Sequence, residues 1–371
     1  MRTEIDEAGR VGTDESCSNV GAVESGVEGC AGPAATRAAC LAAGVVVACC
    51  RRPSPGFVRE GCQARPRWRI PMKRAIVLLA ACALSVAAAV PALAQKTGPK
   101  IFISVDMEGI WGVVHGDQVS STSPEYGPAR RWMAEDVNAV VTGLLEGGAG
   151  QIVVNDSHGS MRNIVADQLN PKASLISGSP KPLSMMQGID ETFDAVIFVG
   201  YHARAGTQAA ILDHTISSAT IRSIRVNGQE MPELGLNAGI AGYYKVPVIM
   251  LTGDTETCRQ AKALLGESLV TAAVKEASGR VAARMFPAEE ARQGLRAAAF
   301  DAVKKIKSFT PFRPASPYAI DVEFHNSGQA ELPLMLPGVK RTGARSVSIT
   351  AADYIEGFKL LRAIIALAGV S

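Results

Sequence analysis

From Lys100 onward, apolar positions fall into two alternating patterns. Lys100–Val105 (KIFISV) is β-branched and nearly continuously apolar, as a strand buried on both faces should be. Pro128–Gly147 then carries apolar residues at helical spacing, at Met133, Val137, Val140, Val141 and Leu144. Pro128 suits a first helical position, where its missing N–H costs nothing, and Gly147-Gly148 suits a helix end. Gln151–Asn155, Ala195–Gly200 and Val246–Thr252 are further short apolar runs, the last preceded by a helix expected over Leu234–Tyr244. Short apolar strands between helices predict an α/β fold with a mostly parallel sheet flanked by helices. Thr215–Met231 reads as a hairpin turning at Asn227-Gly228, a pair that tolerates positive φ at both positions.

Beyond about Leu269 the pattern changes. A helix over Ala288–Lys307, a proline-rich break at Thr310–Pro317, strands at Tyr318–Phe324 and Ser346–Thr350 and a last helix at Ala351–Ala368 follow. These predict a smaller C-terminal α+β domain over 271–371, behind a metal-binding α/β domain over 95–270.

The first 94 residues follow neither pattern. Residues 1–71 are rich in Gly, Ala, Arg, Pro and Cys without a period, and read as an extension, either disordered or upstream of a true start at Met72. Met72-Lys73-Arg74, an uncharged apolar run from Ala75 to about Val90, and Ala92-Leu93-Ala94 have the anatomy of a signal peptide. The expectation is a signal peptide over 72–94, cleavage after Ala94, delivery to the periplasm and no stable membrane insertion afterwards. An uncleaved anchor and a lipoprotein site at Leu79-Ala80-Ala81-Cys82 are the alternatives.

Composition supports this division. Of eight cysteines only Cys258 lies beyond residue 94, so no internal disulfide and no cysteine-rich zinc site can form there. Cys258 is read as structural. The net charge of +3 resides in residues 1–94, which hold 11 basic and 8 acidic residues, leaving 27 of each from Gln95 onward. Nothing in that balance suggests an electrostatic footprint for nucleic acid.

Chemistry collects at the expected strand ends. The first strand runs into Asp106-Met107-Glu108-Gly109, the second into Asn155-Asp156-Ser157-His158, and the third into Gly200-Tyr201-His202. Ligands of open α/β sheets bind at the carboxyl ends of the strands, so adjacent strands would deliver Asp106, Glu108, His158 and His202 to one place. Glu233, opening a helix, is a fifth candidate. Oxygen and imidazole donors of this kind suit zinc and related divalent ions. Five ligands with one bridging carboxylate suffice for two metals, which can share a hydroxide nucleophile and polarise a carbonyl. His214, as a neutral imidazole near a metal-bound carbonyl, could move protons or stabilise an oxyanion. Taken singly, each has a plainer reading: a turn or cap for Asp106, a ring bonded to a neighbouring backbone carbonyl for His158, a loop histidine satisfied by Asp213 for His214, a favourable charge at a helix N-terminus for Glu233. Asp156 and Asp254 are read as caps, His115 and His325 as structural or surface residues, and Asp321 with Glu323 as a strand-edge pair.

Ser104-Val105-Asp106-Met107-Glu108-Gly109, Asn155-Asp156-Ser157-His158, Gly200-Tyr201-His202-Ala203-Arg204 and Glu233-Leu234-Gly235-Leu236-Asn237-Ala238 resemble the motifs of the DppA-type D-aminopeptidases, peptidase family M55. Ser177-Gly178 with Lys181-Pro182, and Gly328-Gln329-Ala330-Glu331, add to the likeness, which runs from Lys100 almost to the C-terminus. The resemblance implies two zinc ions per subunit, with Asp106 bridging them and Glu108, His158, His202 and Glu233 as the other ligands. It also implies that His214 is catalytic, that short peptides with an N-terminal D-amino acid, notably D-Ala, are the substrates, and that subunits assemble as a homodecamer. The expected mechanism is attack of a metal-bridging hydroxide on the first peptide carbonyl. Another dinuclear hydrolase, of an amide or a phosphate ester, and a periplasmic metal- or peptide-binding protein are the competing readings.

Overall fold

In the computed structural model, which describes residues 98–371, β1 (Lys100–Val105) is an interior strand, third in order, of a seven-stranded sheet. The expected extension, the signal peptide and seven of the cysteines lie outside the described residues. On one side of β1 lie β2 (Gln151–Asp156) and β3 (Ala173–Ile176); on the other lie β4 (Ala195–Val199), β7 (Val248–Asp254), β8 (Val270–Gly279) and β9 (Ala282–Met285). All pairings are parallel except β8 with β9. The chain thus builds outward from β1 in one direction, returns to pair β4 against it, and builds outward in the other. That reversal opens a crevice at the carboxyl ends of the central strands.

Alternation along β1 divides the core. Ile101, Ile103 and Val105 face one side, packing with Met133, Val137 and Val141 of α2 (Tyr126–Glu146) and with Leu295 and Ala299 of α5 (Ala288–Lys304). Phe102 faces the other side, among residues of α3 (Glu233–Tyr243) and a second sheet. That sheet is antiparallel, in the order β11 (Lys340–Gly343), β12 (Ser346–Ala351), β10 (Tyr318–Phe324), β5 (Ile221–Val226), β6 (Gln229–Glu230). β5 and β6 form the short hairpin expected around Asn227-Gly228, over fewer residues than Thr215–Met231. The last helix, α6 (Tyr354–Ala368), starts after Asp353, whose carboxylate accepts the Glu356 N–H at 3.0 Å. Expected from Ala351, which instead ends β12, the helix begins at Tyr354.

The mostly parallel sheet with flanking helices is therefore present, and so is a smaller antiparallel part. The described residues pack within one compact unit, and sheet pairing crosses the expected 270/271 division in both directions. β8 and β9, from the expected C-terminal domain, complete the first sheet, and α5 packs on α2 so tightly that a Cβ at Gly143 would lie 2.0 Å from the Arg296 carbonyl oxygen. Conversely, β5 leaves the expected first domain to pair with β10, as in Val226 against Ile320, and carries β6 on its other edge. Hydrophobic period marks a strand but not its partner. No helix among the described residues is long and apolar enough to cross a membrane.

Candidate metal centre

Register fixes the strand ends. Ser104 and Val105 pair with Asn155 and Asp156 on β2, and Val105 pairs with Val199 on β4. Asp106, His158 and His202 therefore emerge at neighbouring positions on one edge. β1 and β4 approach closely there: the Gly109 N–H donates to the Gly200 carbonyl at 2.7 Å, and Gly200 has φ +69°, with space for a Cβ only 2.3 Å from the Asp106 carbonyl oxygen. No L side chain fits that turn without strain.

Beneath the edge lies a buried polar network with one member from each of the four motifs. The Ser104 hydroxyl is 2.8 Å from both the Ser157 hydroxyl and the Tyr201 hydroxyl, and the Asn237 side-chain amide donates to Tyr201 at 2.9 Å. These bonds tie β1, β2, the end of β4 and α3 together under the charged groups.

Above this floor the five expected ligands converge, and Asp106 faces both halves of the cluster. Its Oδ1 is 3.2 Å from His158 Nδ1, which is also 3.1 Å from Glu108 Oε2. Its Oδ2 is 3.4 Å from His202 Nε2, which is also 3.3 Å from Glu233 Oε1. Asp106, Glu108, His202 and Glu233 are buried, whereas His158 and His214 are partly open to the cavity. His214 stacks on His202 with ring centroids 3.9 Å apart, and its Nε2 lies 3.5 Å from Glu233 Oε1.

Each histidine presents a particular nitrogen because the other one is committed to a backbone carbonyl: His158 Nε2 to Val119 at 3.0 Å, His202 Nδ1 to Ala203 at 2.9 Å, His214 Nδ1 to Leu212 at 2.8 Å. A carbonyl can only accept, so these nitrogens carry the proton. The opposite nitrogens then direct lone pairs at carboxylate oxygens, acceptor against acceptor. His202 Nε2 is buried without a hydrogen-bond partner among the described residues. Acceptors converging in this way fit a cation, and a histidine oriented through its second nitrogen is the usual arrangement at metal sites.

Without a cation, protons take that role. Burial opposes charge on His158 and His202, yet Glu108 and Asp106 around the first, and Glu233 and Asp106 around the second, raise both well above the ordinary value. Burial would likewise raise Asp106 and Glu233, but the neighbouring histidines hold Asp106 well below, and Glu233 below, the usual carboxylate range. Two clusters offer ligand atoms all within 4.8 Å of one another: Asp106, Glu108 and His202, and His202, His214 and Glu233. His158 falls outside both, although its Nδ1 touches Asp106 and Glu108. Those direct contacts place it at the cluster, because a bound ion lies between donors and does not require all of them to be mutual neighbours.

Asp156 and Asp254 are structural, as their positions suggested, and each fixes a loop that carries a site histidine. Asp156 accepts from the Asn163 and Ile164 N–H groups at 2.5 and 2.7 Å, while the Asn163 amide donates to the His158 carbonyl at 2.7 Å. Asp254 caps α4 (Thr255–Leu265) and accepts the Ile211 N–H at 2.7 Å, three residues before His214. His115 caps the short α1 (Gly116–Val119), and Cys258 is buried.

Two supporting residues escaped the sequence reading. Lys275 is fully buried on β8, and its ammonium donates to the Glu108, Ile110 and Val113 carbonyls at 2.6, 2.8 and 2.5 Å, anchoring the segment after β1. Asp136 on α2 accepts the Trp111 N–H of the same segment at 2.9 Å. Their only sequence signal was a charge on an otherwise apolar face.

The cluster opens into a cavity of about 480 Å³, within the range of roughly 300–1,000 Å³ typical of small-molecule sites. Residues 100–363 match the family model described as D-aminopeptidase. A D-aminopeptidase of Bacillus subtilis (strain 168) is 38% identical over 264 residues, spanning 71% of this chain and 95% of that protein. The solved structure of the Zn-dependent D-aminopeptidase DppA from Bacillus subtilis, described as a self-compartmentalizing protease, superposes with a TM-score of 0.71. It is 35% identical and covers 73% of this chain and 98% of its own. Sequence, strand-end geometry and backbone agree: the chain belongs to the D-aminopeptidase family, peptidase family M55.

Proposed function

We propose that this protein is an exported aminopeptidase that releases N-terminal D-amino acids, D-Ala foremost, from short peptides, with two zinc ions held by Asp106, Glu108, His158, His202 and Glu233. The observation that carries this reading is the placement of Asp106, one oxygen toward His158 and Glu108 and the other toward His202 and Glu233. Zinc is supported by the Zn-dependent relative and by the oxygen and imidazole donor set. Bound there, zinc would polarise the scissile carbonyl and lower the pKa of water.

The chain's own groups supply the rest. His214 keeps its proton on Nδ1 through the Leu212 carbonyl, so Nε2 is the atom that takes and returns a proton. From beside Glu233 it can stabilise the oxyanion or protonate the departing amine. The floor of Ser104, Ser157, Tyr201 and Asn237 holds the strand ends fixed while charge redistributes above them. Delivery to the periplasm rests on the signal peptide expected over 72–94. A homo-oligomer, a decamer by family likeness, is supported by the self-compartmentalizing description of the relative.

The test is amino-acid release by the zinc-replete protein from D-Ala-D-Ala and L-Ala-L-Ala, with a phosphate monoester alongside. Release from the D,D-dipeptide at least about tenfold faster than from the L,L-dipeptide supports the reading, a difference of about 1.4 kcal/mol in transition-state binding. Turnover of the ester alone would replace it with phosphoryl chemistry.

A further inference from the structure

Besides the strand ends, α6 contributes to the cavity lining, and the one charged group it contributes is Arg362. Tyr354, Phe358 and Arg362 are spaced four apart and share one face of the helix. Tyr354 sets the position of that face: its buried hydroxyl donates to the Leu236 carbonyl of α3 at 3.0 Å. Gly239 makes the approach possible, since a Cβ there would lie 2.1 Å from the tyrosine oxygen. α6 is thereby anchored on the helix whose first residue is Glu233, and Phe358 and Arg362 follow along the same face to the cavity.

Arg362 is partly buried, and among the described residues its guanidinium has no hydrogen bond and no ion pair. The other arginine in the lining, Arg280, is engaged, with its Nε 3.1 Å from Asp213 Oδ1. Burial lowers the Arg362 pKa, and the field of Glu233 partly opposes this. A guanidinium stays protonated in proteins, so Arg362 places a positive charge in the cavity lining, beside apolar groups such as Leu236 and Phe358 and the uncharged Ser217 and Ser218. The charge of Glu233 is directed at His202 and His214. A partly buried cation without a protein partner, facing a cavity, favours an anion there, and the guanidinium fork matches a carboxylate in two-pronged geometry.

We infer that Arg362 is the receptor for the free C-terminal carboxylate of a short peptide whose first carbonyl lies at the metal-ligand cluster. This deepens the aminopeptidase reading and rests on it. Arg362 then determines specificity: it excludes amidated peptides and peptides too long to end within the cavity, and it takes no part in bond cleavage.

The experiment compares D-Ala-D-Ala with D-Ala-D-Ala amide, as kcat and KM, in the zinc-replete wild type, R362K and R362M. Calorimetric binding of both peptides and zinc content are measured on the same samples. The wild type is expected to favour the free acid by about 10- to 100-fold, carried mainly in KM. R362M is expected to lose that preference, read as the ratio of kcat/KM on the acid to kcat/KM on the amide, with zinc content unchanged, and R362K to fall between. An equal preference for the acid in wild type and R362M, or none in the wild type, overturns the inference and leaves the aminopeptidase intact. No release from either peptide overturns the aminopeptidase reading itself. In that event, binding of the acid that weakens in R362M still supports the carboxylate receptor, and equal or absent binding sinks it as well.

Discussion

One wall of the cavity is made by the strand ends of the first sheet, the other by α6 and the loop leading into β5. The first carries Asp106, Glu108, His158 and His202 on neighbouring parallel strands, where backbone hydrogen bonds set the register. Behind it, Lys275 and Asp136 hold the segment after β1, and a four-member hydroxyl and amide network lies underneath. The second wall carries Phe358 and Arg362 on a helix located by side-chain packing, chiefly Tyr354 against Leu236 and Gly239. The groups proposed to hold the ions stand on the element whose geometry the backbone dictates. The group that discriminates among substrates stands on a separately packed helix, which can be altered without disturbing the ligands.

Replacing groups in the first wall should damage chemistry and metal retention together, starting with the group both halves share. Asp106→Asn is expected to lower kcat/KM by about a thousand-fold, because truncating a buried, fully engaged charge forfeits roughly 3–5 kcal/mol. Zinc content and kinetics measured on the same preparation check this.

Asp136 tests the support behind that wall through pH. Burial raises its pKa from 3.8 to about 6. The folded state therefore holds this proton more tightly than the unfolded chain does. The resulting stability is full below about pH 4 and is lost as pH rises through about 6, a difference on the order of 3 kcal/mol. Asp136→Asn cannot ionise and retains an acceptor for the Trp111 N–H. Urea unfolding at about pH 4 and pH 7 should thus show the variant gaining on the wild type at the higher pH by about that amount; parallel pH dependences would show that Asp136 is not held in this environment.

His214→Ala is expected to reduce kcat by about 100-fold with zinc content retained, which separates proton transfer from ligation. Zinc lost along with activity would instead make His214 a ligand, as its place beside His202 and Glu233 allows. The smallest effect belongs to the floor. Asn237→Leu removes the donor to Tyr201 and should weaken zinc affinity by about tenfold, read by chelator competition.

The contrast between the walls also explains what the sequence revealed. Asp106, His158 and His202 were legible because each follows an apolar run, and a parallel sheet sends the ends of such runs to one edge. Glu233 was legible as the first residue of a helix. Arg362 was not, since a charge on an amphipathic helix looks the same facing solvent or a cavity until the helix has a partner. Lys275 was hidden for a related reason: VTAAVKEASG shows a charged strand residue, and only the fold surrounds it with three carbonyls. The pairing of β5 with β10, across nearly a hundred residues and across the expected 270/271 division, was not legible because no local period records it.

The sharing of Asp106 between two ions is tested most directly by counting zinc against turnover in the purified protein as metal is added back after chelation. The account predicts two zinc ions per chain at saturation, with activity appearing as the second binds, and fewer than two in Asp106→Asn. Full activity at one zinc per chain, or two ions retained undiminished in Asp106→Asn, would contradict it.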